Sequence, residues 1–277
     1  NFLLQNKLVE EYFLPQVAET GHQASMLALL LESEAHAEAA LARLDAGEDF
    51  GELAGELSRN MLTESSNGEV GHHIKDIVDK KLSTPVPGDW AFGAAAGTLS
   101  PPLYDPDVDK WVGYWIIKVL TIDETGDQAH VNVILTGTLE EAEAVIQRLD
   151  AGEDFAALAG EVSRHDTSRE NGGDLGNVEA GSLTAAMEEY IFDNPEMELG
   201  RHSAPIEDVT MTTKGGYWLV EVLANEPDSQ ISEEDRMSMK DELFGEWLGA
   251  LQNDPAYVID HSYLDAERIT WAISKVD

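Results

Sequence analysis

With no cysteine in its 277 residues, the chain has no thiol nucleophile, no Cys-ligated zinc and no disulfide framework. What remains for chemistry is histidine, carboxylate and hydroxyl, and three places bring such groups close together. His72 and His73 precede Asp76, but adjacent histidines point apart on a strand, and on a helix only one of them could join the aspartate. Zinc is poorly served there, and a solvated loop is expected. The run DPDVDKW from Asp105 alternates carboxylates as a calcium loop does, yet Lys110 stands where that loop needs glycine and Ile116 where it needs glutamate. A charged hairpin turn is expected, with weak cation binding as the lesser alternative. His165 and Asp166 are adjacent, and since successive side chains rarely converge, His165 is expected to be an exposed neighbour rather than half of a catalytic pair. No metal and no cofactor is expected.

The elements that must carry these residues are written twice. RLDAGEDF runs from Arg43 to Phe50 and again from Arg148 to Phe155, and over Arg43–Arg59 and Arg148–Arg164 the two copies agree at 14 of 17 positions without a gap. Gly68 and Gly71 align with Gly173 and Gly176, and each copy closes alike, with GYWIIKVL from Gly113 and GYWLVEVL from Gly216. A period near 100 residues is too long for a solenoid, so each copy is expected to be a domain with its own core. Each reads as a short apolar strand, a helix with Ala and Leu at helical spacing closed by glycine (Gly152 in the second copy), a second short helix, a Gly-rich loop, a further helical segment and a terminal strand. That order gives an α+β domain with a small sheet.

The flanks are helical. Residues 1 to about 18 read as an amphipathic helix entered partway, with Leu4, Leu8 and Tyr12 on one stripe, which implies that upstream sequence was removed. After a linker, Ser232 and Asp235 begin a capping-box pattern, and the helix that follows carries Met239, Leu243, Phe244, Trp247, Leu248 and Leu251 on one face. That face is expected to pack on the N-terminal helix. A last helix is read around Ile269, Trp271 and Ile273. For Trp115 and Trp218, at equivalent strand positions, and for Trp247 and Trp271 on apolar helix faces, core packing is the expectation.

Composition bounds the function. The 17 Lys and Arg against 54 Asp and Glu give a net charge of −37, a field that repels nucleic acid and anionic membrane surfaces. No run of 18 apolar residues exists to enter a bilayer.

Taken in order, LxxGxDFxxLAxxxS, GGDLG and Gly-Tyr-x followed by two hydrophobic residues resemble the parvulin or PpiC-type peptidyl-prolyl isomerase domain, most clearly in AGEDFAALAGEVS from Ala151, NGGDLG from Asn171 and GGYWLVEV from Gly215. Two tandem copies between terminal helices resemble the SurA and PrsA class of extracytoplasmic foldases. The resemblance implies an α+β, FKBP-like fold: an N-terminal helix over 1–22, parvulin-like domains over 23–124 and 127–226, and C-terminal helices over 227–277. It implies unfolded or proline-containing polypeptides as partners and an extracytoplasmic location. Turning an X-Pro bond crosses a barrier of about 20 kcal/mol but breaks no covalent bond, so a pocket that grips the proline ring and polar groups beside the twisting amide suffice.

By the same resemblance, the ring pocket of the second copy falls on Leu175, Val178, Leu183 and Met187, with Trp218 on the closing strand, the family's acid or thiol on Asp166, and a further polar position on Thr213. Both family histidines are absent: Val133 and Trp218 occupy their places, and in the first copy Ala28 and Trp115 do. The first copy has Met61 at the acid position and Val70, Val78 and Leu82 in the pocket. The second copy is therefore expected to be the catalyst and the first a binding module. A chaperone or scaffold without catalysis and an acidic surface adhesin are the alternatives.

Overall fold

The structure, a computed structural model, describes residues 7–123 and 125–253. The last helix expected around Ile269 and the Leu4 end of the N-terminal stripe lie outside the described residues.

The repeated octapeptide explains itself locally. In the first copy, helix α1 (Glu34–Asp45) starts at Ser33, whose side chain accepts from the His36 N–H, and α2 (Phe50–Leu57) starts at Asp49, which accepts from the Glu52 N–H; α3 (Met61–Ser65), α4 (Lys75–Leu82) and α5 (Val86–Ala91) follow. In the second, α6 (Leu139–Asp150) and α7 (Phe155–Val162) are capped by Thr138 and Asp154 in the same way. Between the paired helices the chain turns through Gly47 and Gly152 at φ of 94° and 91°, where a side chain would be strained. Arg43 then clamps the turn by donating to Glu48 and Glu56. Arg148 does the same to Glu153 and Glu161, and these hydrogen bonds hold all four carboxylates below their ordinary titration range. RLDAGEDF is thus a helix end, a turn and a helix start fastened by its own arginine.

Among the described residues seven strands form one antiparallel sheet: β1 (Thr20–Leu31), β2 (Glu69–Ile74), β3 (Thr98–Leu99), β4 (Leu103–Ile122), β5 (Gln128–Thr136), β6 (Asp174–Glu179) and β7 (Ile206–Gln230), in the order β2-β1-β7-β4-β5-β6 with β3 on β7. The two closing strands have changed places. β1 pairs with β7, the strand of the second repeat, in a register that sets Leu31 opposite Tyr217 and Leu29 opposite Leu219. β5 pairs with β4, the strand of the first, setting Thr136 opposite Tyr114 and Ile134 opposite Ile116. These are the same pairings at equivalent positions. β3 lies against Glu221 and Val222 of β7, and His202 is bridged to Lys118 of β4 in the matching place. Between the two halves β4 and β7 run against each other, with Lys110 opposite Thr213, which are themselves equivalent positions. An approximate two-fold axis passes between them.

Because side chains alternate across a strand, each half has a core on either face of its sheet. In the first half one face gathers Met26, Ala28, Val70, Val78, Leu82 and Trp218, and the other Leu29, Leu31, Phe50, Leu53 and Leu219. The second half repeats this with Trp115, Val131, Val133, Met187 and Ile191 on one face and Tyr114, Ile116, Ile134, Phe155 and Leu158 on the other. Trp115 and Trp218 are core residues, 3% and 0% exposed.

Two local expectations are corrected. His72 and His73 lie in β2, not in a solvated loop, because β2 pairs with β1 through them; His73 Nδ1 is 2.9 Å from the buried Asp235 carboxylate. DPDVDKW is not a charged hairpin turn but part of β4, with Asp105 2% and Lys110 1% exposed. At the chain ends, the N-terminal segment is a π-turn (Val9–Phe13) and a short 3-10 turn (Leu14–Gln16), and it meets α10 (Glu233–Asn253) through Phe13, whose ring lies 5.6 Å from Phe244 and 5.7 Å from Trp247. The cap is half a box: Ser232 accepts from the Asp235 N–H, while the Asp235 carboxylate is spent on His73.

Candidate functional site

The pocket residues come from three elements of the second half. Strand β6 carries Leu175 and Val178, and the loop after it carries Leu183. Helix α9 (Ala185–Glu188), capped by Thr184, carries Met187. The four assemble in one cluster: Met187 is 2% exposed beneath, and Leu175, Val178 and Leu183 form a half-buried rim above it. The equivalent positions of the first half, Val70, Val78 and Leu82, are all sealed, at 2%, 0% and 1% exposure. In the second cluster Leu175 and Leu183 keep surface at positions that the first cluster closes, while the first has half-buried neighbours of its own in Leu62, Trp90 and Phe92.

The closing tryptophan of that cluster is Trp115, from the first repeat. Trp218 lies instead in the first half's cluster with Val70, Val78 and Leu82, a direct result of the strand exchange. Each tryptophan is held by a buried aspartate. Trp115 Nε1 donates to Asp208 Oδ2 at 3.1 Å, and Asp208 also accepts from the Thr210 N–H and hydroxyl at 2.9 and 2.6 Å. Burial pushes the Asp208 carboxyl up, and hydrogen bonds from Thr184, Thr210 and Trp115 outweigh it, leaving the group below the ordinary range. Trp218 Nε1 donates to Asp105 Oδ2 at 3.2 Å, where the Thr84 hydroxyl donates at 2.6 Å and the Asp107 and Val108 N–H groups supply Oδ1.

The two other expected site residues lie apart. Asp166 opens the short helix α8 (Asp166–Glu170), is 81% exposed and is ion-paired with Arg169. Thr213 sits 3% exposed on the pseudo-two-fold axis, its hydroxyl donating to the Val112 carbonyl at 2.6 Å. The polar group that does reach the cluster is His165, expected to be an exposed neighbour but half-buried, with its ring 5.4 Å from that of Trp115. Burial lowers its pKa, against the opposing pull of Asp166, so the neutral ring dominates at neutral pH. Nδ1 accepts the Ser168 N–H at 3.3 Å as the cap of α8, which assigns the proton to Nε2. A signal for the buried aspartates was present: Pro102-Leu103-Tyr104-Asp105 and Pro205-Ile206-Glu207-Asp208 stand at the same spacing before their GYW strands.

Of the remaining features, Glu32, His36 and Glu140 each bring one ligand atom within 4.8 Å of the others, the only such group among the described residues. Its buried member is already engaged, since Glu32 accepts from the Tyr114 hydroxyl at 3.0 and 3.2 Å. A cavity of ≈ 670 Å³ lies on another side of the second half, between α6 and the segment carrying Arg201 and His202.

In each half a small antiparallel sheet carries short helices on its faces, the arrangement of a parvulin-like domain, here present twice, and in the second half an apolar rim lies beside His165. The comparisons agree: residues 28–121 and 114–226 each match a PPIC-type PPIase domain, and the chain belongs to that family. It is 29% identical over 280 residues to the chaperone SurA of Methylobacillus flagellatus, which covers 92% of this chain and 58% of that protein. It is 39% identical over 87 residues to the foldase protein PrsA of Caldanaerobacter subterraneus, covering 31% of this chain and 26% of that one. The chain thus spans little more than half the length of the SurA proteins it matches. Among solved structures, the peptidylprolyl isomerase PrsA from Bacillus anthracis aligns over 92% of this chain and 91% of its own at 15% identity with a TM-score of 0.25, too low to bear on the fold. Among the described residues no helix is long and apolar enough to cross a membrane.

Proposed function

We propose that this chain is a folding factor for extracytoplasmic polypeptides whose second repeat catalyses X-Pro cis-trans isomerisation and whose first repeat is a binding and structural partner. The observation that carries the assignment is that Leu175 and Leu183 are half-buried where their counterparts Val70 and Val78 are sealed, with Val178 half-buried beside them, while Met187 and its counterpart Leu82 are both sealed. A proline ring rests on the rim, water is excluded from its side of the amide, and the twisted amide is favoured over the planar one. His165 supplies a neutral Nε2–H beside it, and the depressed pKa keeps that donor uncharged at neutral pH. Asp166 acts from a distance, through its ion pair with Arg169 and its effect on His165. The boundaries that follow are an N-terminal segment to residue 22, repeats over 23–124 and 127–226, and a C-terminal segment from 227.

A protease-coupled isomerisation assay on the whole chain tests this. His165→Ala is expected to reduce turnover about tenfold, the loss of one hydrogen bond of about 1.4 kcal/mol in the transition state, and Asp166→Ala to reduce it less. A wild-type chain that suppresses aggregation of an unfolded client while leaving the isomerisation rate at its uncatalysed value would instead establish a holding chaperone, the reading favoured by Val133 and the tryptophans standing where the family has histidine.

A further inference from the structure

The strand exchange puts the two repeats inside each other's sites. Trp115 belongs by sequence to the first repeat, yet its ring packs with Met187 and Ile191, its indole N–H reaches Asp208 at 3.1 Å, and it meets the His165 ring edge-to-face at a centroid distance of 5.4 Å. All these neighbours belong to the second repeat. The mirror relation holds for Trp218, which packs with Val70 and Val78 and donates to Asp105. Had each closing strand returned to its own sheet, Trp115 would face Asp105 and Trp218 would face Asp208.

We infer that the prolyl pocket of the second repeat is completed by the first repeat, with Trp115 as a positioning residue that backs the pocket and holds His165 against it. The inference rests on the isomerase reading for its functional meaning. Trp115 itself is 3% exposed and so acts on the substrate through its neighbours. Its position is over-determined: Asp208 fixes the indole N–H, the Thr210 N–H and hydroxyl fix Asp208, and the strand is pinned on both sides by Leu135 and Ile206. His165 is capped onto Ser168, so its ring has one wall in the Trp115 ring and one anchor in the backbone of α8. Removing the wall frees the ring to hydrate, which is the change that returns a desolvated histidine towards its ordinary pKa. The charged neighbours on its own element, Asp166 and Arg169, pair with each other and stay in place. From the chemistry of the site, the first repeat becomes a determinant of how tightly the second holds proline.

Two measurements on the full chain decide this, and neither requires isomerase activity. The first uses the absence of native cysteine. Directly opposed residues of an antiparallel pair lie about 4.5–5.5 Å apart at Cα, within disulfide reach. Leu27 is opposite Glu221, and Asn132 is opposite Lys118. The double variants Leu27→Cys with Glu221→Cys, and Asn132→Cys with Lys118→Cys, are expected to form intrachain disulfides on oxidation. Leu27→Cys with Lys118→Cys, and Asn132→Cys with Glu221→Cys, form only if each strand returns to its own repeat; their oxidation in preference to the first two overturns the inference, as does disulfide linkage between two chains. The second measurement follows the His165 ring by NMR as pH is varied. Trp115→Leu is expected to raise the His165 midpoint towards the ordinary value and to raise the Kd of a prolyl peptide titrated against the same resonances. A His165 midpoint that moves with Trp218→Leu and not with Trp115→Leu overturns the inference. If the disulfides and the midpoints come out as expected but the wild-type chain does not accelerate isomerisation, the composite pocket stands and the isomerase reading falls.

Discussion

Trp218→Ala is expected to lower the stability of the chain by about 3–5 kcal/mol, the range for emptying a buried tryptophan site, and to do so chiefly in the first repeat, although residue 218 belongs by sequence to the second. Among the described residues the side chain is the largest of the fully buried ones, at 0% exposure, and it is packed among Met26, Val70, Val78 and Leu82. Its loss leaves a cavity whose walls come from β1, β2 and α4 (Lys75–Leu82). It also takes one donor from the buried Asp105 carboxylate, which keeps Thr84 and two backbone N–H groups and so remains bonded but less well satisfied. For a folding unit of roughly 150–250 residues, each kcal/mol shifts Tm by about 2–4 °C, so a drop on the order of 10 °C is the expected thermal signature. The location is the sharper readout. Under native conditions, amide exchange should accelerate first in β1, β2 and α4, and protection in β5 and β6 should fall only with global unfolding. Early loss of protection confined to β5 and β6 would mean that the strand carrying Trp218 lies in the second repeat's own sheet.

Why this arrangement was illegible in the sequence is itself informative. The helices were readable because their caps, glycine turns and the Arg43 and Arg148 clamps are local, each clamp reaching across 13 positions. The grouping of the apolar side chains is legible in part for the same reason: Leu175, Val178, Leu183 and Met187 lie within 13 consecutive positions, on β6, α9 and the loop between them, while the residues of β4 and β5 that complete their cluster are distant in sequence. Partner choice between long strands has no such local code. GYWIIKVL and GYWLVEVL present aromatic and branched residues at the same alternating positions, so each satisfies the apolar faces of either β1 or β5, and register alone does not distinguish them. Hence Trp218 was assigned to the cluster that Trp115 occupies.

The remaining differences follow from reading charge as exposure. Asp105 and Lys110 sit in a run that alternates carboxylates, and average behaviour puts such residues in water. Here the pairing of β4 with β7 buries both, and each is answered by specific partners: Thr84, Trp218 and backbone N–H groups for Asp105, and backbone carbonyls for Lys110. Similarly, His165 was discounted because neighbouring side chains diverge. They do diverge, with Asp166 turned to solvent and Arg169, and that divergence is what sends His165 inward to Trp115. At the chain ends the expected helix packing on α10 is found, but through Phe13 in a π-turn, and the aromatic cluster with Phe244 and Trp247 leaves Trp247 39% exposed.

Lys110 makes the second large effect, and its sign is opposite to that of most buried lysines that gain a carboxylate partner. The ammonium is enclosed where β4 and β7 cross, donating to the Lys214 carbonyl at 3.2 Å and to the Gly215 carbonyl. Burial pushes its pKa down from 10.5 to about 8, the positive charge of Arg164 pushes the same way, and Glu141 and Glu32 offset only part of this. The folded value therefore lies below the unfolded one, and the folded state prefers the neutral amine. The corresponding stability is present in full above pH 10.5 and is lost as pH falls through 8, so that at pH 7 the charged group costs about 3 kcal/mol relative to high pH, from a gap of about 2.5 pH units at about 1.4 kcal/mol each. Other groups also titrate in this window, including Tyr114, whose burial and contact with Glu32 raise its pKa, so the comparison has to be made against a variant. Lys110→Met removes the titration while filling similar volume, and it leaves the Gly215 carbonyl without its lysine donor, a loss that does not vary with pH. Denaturant unfolding of both proteins from pH 7 to 10.5 should therefore show the stability of the variant relative to wild type falling by about 3 kcal/mol across the range. A difference that stays constant over those pH values would show that Lys110 titrates at its ordinary value and that the crossing of β4 and β7 is open to water.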